Sequence, residues 1–234
     1  MLKTRHFREF PCQKFMLALW ETIVTNNKQH SMMIVAALLW LFVFSGQSMA
    51  QSQQQLRDAF AASIKYETNR RYSDAIGALM GVYSARSYEV NLRLGWLHHL
   101  NQNYSESILF YKKSIEIMPA ATEPLWGIIN PYSAIEDWVN VERTHKSIIR
   151  LNPKNSKAHY YLGLIFYNRK NYTEAKKYFD VVLNLFPFDY DTMLMSAWTN
   201  YFLGNFANAR VLFNKVLLIS PNDKSALEGL SLIK

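Results

Sequence analysis

The stretch YLGLIFYNRKNYTEAKKYF, residues 161–179, decides the fold. Its first half is an apolar run with helical character that carries Gly163. Its second half places Ala175 just past a polar turn. A glycine inside a helix costs about 1 kcal/mol relative to alanine, so something at that position needs the space. No catalytic group lies near either small residue, which leaves a second helix as the claimant. Two helix backbones approach closely only where the side chains between them are small. Phe179, four positions past Ala175, is placed to plug the remaining gap.

The same phrase recurs outward from this stretch. Pro119, Pro153, Pro187 and Pro221 follow one another at intervals of 34 residues and close the phrases KKSIEIMP, HKSIIRLNP, DVVLNLFP and KVLLISP. Proline cannot continue a helix, so each marks a helix end. Twelve residues before each proline stands Ser107, Val141, Ala175 or Ala209, and twelve earlier Gly95, Ile129, Gly163 or Ala197. Eight before proline stands Tyr111, Phe179 or Phe213, with His145 as the exception. A fifth, earlier copy puts Ser63, Tyr66, Ala75 and Leu79 at matching offsets and lacks the closing proline. A single helical hairpin of this kind cannot bury its own apolar surface, so the copies stack.

The pattern resembles the tetratricopeptide repeat (TPR) family over residues 56–221. The fold it implies is all-α: an α-solenoid of about five helix-turn-helix repeats, 56–87, 88–119, 122–153, 156–187 and 190–221. A short linker (51–55) precedes the array, and a capping helix (222–234) follows. The third repeat departs from the pattern. Ile129 and Val141 replace its small pair, and Pro131 falls inside its first helix, where proline is expected to bend or break it.

Residues 32–44, MMIVAALLWLFVF, are too short to span a bilayer comfortably. They suit the apolar core of a secretory signal, with Ser48 and Ala50 at the small-residue cleavage positions. The expectation is an exported bacterial protein, periplasmic or envelope-associated, cleaved after Ala50. The alternative is an inner-membrane anchor formed by the retained leader. Of the net charge of +8, the first fifty residues carry +3, and the remainder shows no basic tract. That argues against nucleic acid as a partner. The single cysteine, Cys12, lies in the leader, so the mature chain has neither a disulfide nor a thiol nucleophile.

The resemblance implies that the first helices line the concave side of the array. Helical spacing then predicts their outward stripe. From it the candidate partner-binding residues are Phe60, Trp96, His99, Trp126, Asn130, Lys157, Tyr160, Tyr167, Trp198 and Tyr201, and Arg93 joins them because it, like Lys157, can pair with an acidic residue on a ligand. The opposite face of these helices is apolar too, and a helix apolar all round is normally buried. Half of that burial needs a partner: an apolar or aromatic segment of another protein, or a further copy of the chain. The family's clamp for C-terminal carboxylates is not expected, because the stripe position that would carry its lysine holds Phe60, Leu92, Trp126, Tyr160 and Leu194.

No catalytic motif, cofactor or metal site is expected. His98 and His99 are adjacent, about 100° apart on a helix, whereas chelating pairs need a spacing of three or four. A weak enzymatic reading would use His99 with Glu67 or Glu123. The expected function is a non-catalytic adaptor of the cell envelope. The alternatives are a self-assembling scaffold or a membrane-anchored assembly factor.

Overall fold

The computed structural model of the chain describes residues 52–233. The expectations about the leader, including the 32–44 signal core, Cys12 and cleavage after Ala50, lie outside these residues. Contacts divide the chain into two units, residues 1–61 and 62–234. Of the first, only 52–61 is described, and it is helical.

The described residues form eleven helices and no strand. They are α1 (52–68), α2 (Tyr72–Met80), α3 (Tyr88–Leu100), α4 (Tyr104–Ile117), α5 (Glu123–Ala134) and α6 (Trp138–Leu151). Then come α7 (Ser156–Asn168), α8 (Tyr172–Leu185), α9 (Tyr190–Phe202), α10 (Phe206–Ile219) and α11 (Lys224–Leu232). From α3 onward each helix packs on the next, and the hairpins stack in chain order. The all-α solenoid expected from the 34-residue period is the fold observed.

One turn is built five times. Its middle residue sits in the left-handed region: Arg70, Gln102, Glu136 and Lys170 at φ near 60°, and Gly204 at φ 76°. The next residue donates its N–H back to the first helix, from Arg71 to Tyr66, Asn103 to His98, Asp137 to Tyr132, Asn171 to Phe166 and Asn205 to Asn200, all at 2.8–2.9 Å. This closure satisfies carbonyls at the end of one helix and aims the chain into the next. At helix starts, Ser87, Asp137, Asn155, Asn171, Asp189 and Asp223 each accept from the N–H three residues on. A cap of this kind is worth about 1 kcal/mol.

The small residues receive aromatic rings. A Cβ added at Gly163 would lie 2.4 Å from Phe179 Cε1, which accounts for the glycine in the middle of α7. Tyr111 is gripped from two sides. A Cβ at Gly95 on α3 would stand 2.9 Å from it, and one at Gly127 on α5 would stand 2.3 Å from it. The third repeat therefore has a small residue after all, two positions ahead of Ile129, and it faces back onto the preceding hairpin. Its Pro131 does not break the helix, since α5 runs on to Ala134 with Pro131 buried. α11 closes on the fifth hairpin, with Ala226 buried and Gly229 against Phe213. Leu227 and Leu232 on α11 remain exposed.

Candidate interaction face

The predicted stripe residues of residues 62–234 lie on α3, α5, α7 and α9, and their rings are neither exposed nor fully buried. Trp96, Trp126, Tyr160, Tyr167, Trp198 and Tyr201 are all half-buried. Phe60, on α1 in the first unit, is half-buried as well. Asn130 and Lys157 are exposed.

Several stripe residues have polar atoms engaged between hairpins. Glu67 accepts from the Trp96 indole N–H at 2.7 Å and, through its other oxygen, from Arg93. The side chains of Arg93 and Glu67 are only 19% and 23% exposed, so the pair is shielded from solvent. This node ties the first hairpin to the second. At the far end, Trp198 Nε1 donates to Ser225 Oγ at 2.8 Å and ties the fifth hairpin to α11. Trp96, Arg93 and Trp198 thus brace neighbouring hairpins and offer a partner only their remaining surface. His99 packs against Trp96 and Tyr104, and burial lowers its pKa. Both oxygens of Glu67 are already taken, and Glu123 accepts from Tyr88, so neither is held against His99 as an acid–base pair.

Rings also run along the hairpin turns. Tyr167 meets Tyr172 and Phe202 edge to face, and Tyr172 stacks on Phe202 at 4.7 Å. Tyr201 meets Trp198 edge-on and Phe206 at 5.6 Å. The junction between the fourth and fifth hairpins is thus crossed by the contacts of Tyr167 and Tyr172 with Phe202, and by Leu183 packed against the buried cluster of the fifth hairpin. Among the described residues no side-chain hydrogen bond crosses it, whereas the other junctions each have at least one, such as Tyr88–Glu123 and Arg169–Glu142.

At this same junction the surface opens into a cleft of about 300 Å³. Its walls are Ser156, Lys157 and Tyr160 of α7, Val182 of α8 with Phe186 just beyond it, Asp189 at the cap of α9, and Asp191 and Thr192 of α9. Two predicted residues, Lys157 and Tyr160, fall here. Phe186 and Asp189 escape the predicted stripe because it covers first helices alone, and Thr192 escapes it because it sits on α9 at a position off the stripe. The cleft adds the end of a second helix and the loop after it. Pro187, which marks that helix end, was the available signal.

Lys157 places its Nζ 4.8 Å from the centre of the Trp126 ring. Trp126 in turn meets His145 edge-on, and His145 stacks on Tyr161. Burial, helped by the charge on Lys157, pushes the His145 pKa down to about 4. Tyr160 is pushed up to about 12, first by burial and then by the carboxylates of Asp191 and Asp189.

Three segments, residues 88–120, 156–189 and 191–223, match the family described as Tetratricopeptide repeat. The unmatched first and third hairpins are those that depart from the proline and small-residue pattern. No curated protein sequence matches the chain. Among solved structures, a tetratricopeptide repeat protein from Parabacteroides merdae ATCC 43184 aligns with TM-score 0.64 at 18% identity, over 75% of this chain and 71% of that one. MamA aligns with TM-score 0.61 at 17% identity, over 77% and 96%. YrrB, described as a TPR protein with an unusual peptide-binding site, aligns with TM-score 0.62 at 14% identity, over 80% and 97%.

Proposed function

Because the chain belongs to the tetratricopeptide repeat family, we propose that it is a non-catalytic adaptor of the bacterial cell envelope, holding a segment of another protein on its first-helix face. The observation that carries this reading is the cleft between α7, α8 and α9, lined by the half-buried ring of Tyr160 and adjoined, through Lys157, by the half-buried ring of Trp126. A fully covered aromatic buries about 150–250 Å². These rings are already half covered, so each gives a partner only part of that gain. Several must act together for a micromolar complex, which favours an extended segment over a small molecule. YrrB shares the fold and is described as having a peptide-binding site, which agrees with this use of the face. The envelope assignment rests on the 32–44 apolar run and the SMA triplet ending at Ala50.

A second reading, self-assembly, is favoured by one observation. Leu218 is 74% exposed, and Leu227 and Leu232 on the neighbouring α11 are also exposed. One experiment separates the two. The form starting at Gln51 is immobilised and challenged with envelope extract, beside a variant carrying Asn130→Arg and Lys157→Glu at exposed stripe positions. The adaptor reading expects a partner other than the chain itself, with capture at least ten-fold lower for the variant and unchanged helicity. Capture of the chain's own copies alone selects the scaffold, and equal capture by both forms removes the face from consideration.

A further inference from the structure

We propose that the cleft at the junction of the fourth and fifth hairpins is a subsite for one basic side chain of the bound segment, with arginine preferred over lysine. This rests on the adaptor reading and assigns chemistry to part of its face.

The argument begins with the two carboxylates. Asp189 caps α9 through one oxygen, Oδ1, which accepts from the Thr192 N–H at 2.9 Å and the Thr192 hydroxyl at 2.5 Å. Among the described residues its other oxygen has no hydrogen-bond partner. Asp191 is exposed and, again among the described residues, forms no ion pair. The cleft contains a cation of its own, yet Lys157 is turned onto the Trp126 ring. All three charged side chains line the same cleft, and among the described residues Lys157 forms no ion pair with either carboxylate. The acidic side of the cleft is thus left to something from outside.

The remaining walls narrow the choice. Tyr160 and the 54% exposed Phe186 supply two aromatic faces, and Val182 supplies an aliphatic floor. A cation close to an aromatic face is attracted by the ring quadrupole. The planar, weakly hydrated guanidinium profits more from such a wall than an ammonium does, and it pairs with a carboxylate through a fork of N–H donors. With Lys157 counted, the cleft keeps one net negative charge, which suits a single cation and repels a carboxylate. Its volume, about 300 Å³, sits at the lower bound of ligand pockets, roughly 300–1,000 Å³. That suits one side chain and is too small for a folded element. Burial, and after it the two carboxylates, raises the Tyr160 pKa, so its hydroxyl stays a hydrogen-bond donor beside them.

The test uses N-acetyl-arginine methylamide as the probe, with the lysine and glutamate analogues for comparison, against ¹⁵N-labelled residues 51–234. The expected result is saturable movement of the Ser156, Asp191 and Thr192 amide signals with the arginine probe. Dissociation constants should be at least threefold weaker for lysine, with no saturation for glutamate. Asp191→Asn, at an exposed position that leaves the cap intact, should weaken arginine binding at least fivefold. Unsaturable shifts with arginine, equal binding of the glutamate analogue, or indifference to Asp191→Asn each overturn the assignment. If envelope capture succeeds while the arginine probe fails, the subsite falls and the adaptor reading stands. If both fail, both fall.

Discussion

Gly77 and Gly163 are both helical glycines, and their surroundings are opposite. At Gly77, on α2, an added Cβ meets nothing within 4 Å. At Gly163 it would sit 2.4 Å from Phe179 Cε1, 2.6 Å from Cδ1 and 2.8 Å from Cζ, and Phe179 is fully buried. Gly77→Ala should therefore stabilise the protein by about 0.5–1 kcal/mol through helix propensity. Gly163→Ala gains the same propensity and loses more, because the ring has no room to retreat and overpacking costs typically 1–3 kcal/mol. Urea unfolding of the two variants beside the parent should move the midpoints in opposite directions. The need for space at Gly163 was legible in the sequence, since a glycine in an apolar helical run demands a reason. Gly127 was not legible by the same route. It stands two residues ahead of the expected small position and faces the preceding hairpin's Tyr111 rather than its own second helix. The left-handed turn residues also went unread, because Arg70, Gln102, Glu136 and Lys170 carry no glycine to announce them.

At the scale of the helix, α6 is the member of the array with the most altered chemistry. The position that holds Tyr111, Phe179 or Phe213 in other second helices holds His145, which is 2% exposed. It fits between Trp126 and Tyr161 as a neutral ring, with Lys157 nearby opposing a positive charge and its Nδ1 without a hydrogen-bond partner. The folded-state pKa, about 4, lies below the unfolded value of about 6.5. Between those limits the unfolded chain binds the extra proton, so stability rises with pH through this window and is complete above about 6.5. One such group contributes a slope of at most about 1.4 kcal/mol per pH unit. Burial lowers His98 and His99 in the same direction. His145→Phe restores the ring found in the second, fourth and fifth hairpins and should remove about one proton's worth of the slope. Denaturant unfolding at several values between pH 7 and pH 4.5 measures it. The helix wheel likewise identified which first-helix residues leave the hairpin core, but it could not see what they meet. Trp96 reaches Glu67 and Trp198 reaches Ser225, side chains 29 and 27 residues away in sequence. A periodic reading of one helix contains no term for its neighbour's edge, and for that reason the stripe came out half-buried instead of bare.

For residues 62–234 as a whole, stability is built from contacts between neighbours in the stack. Gly95 and Gly127 share Tyr111, so the second and third hairpins depend on one ring, and Gly229 makes α11 depend on Phe213. Phe213 also meets Trp198, whose indole is anchored on Ser225 of α11. Met193, Ala197, Phe213, Val216 and Ala226 form one buried cluster that spans the fifth hairpin and its cap. A larger side chain at Gly229 must push against Phe213, because its Cβ alone would lie 2.2 Å from the ring. Gly229→Val should therefore lift α11 and loosen α9 and α10 together. In a repeat array each unit touches only its neighbours, so a defect at one end decays along the stack instead of unfolding everything at once. Hydrogen exchange read by peptide mass should show faster exchange across 190–233 in this variant. Peptides of 88–117 should exchange at the parent's rate. Equal acceleration along the whole array would mean that the hairpins fold as one cooperative block, and that the ring contacts between them carry more of the stability than the packing within each hairpin.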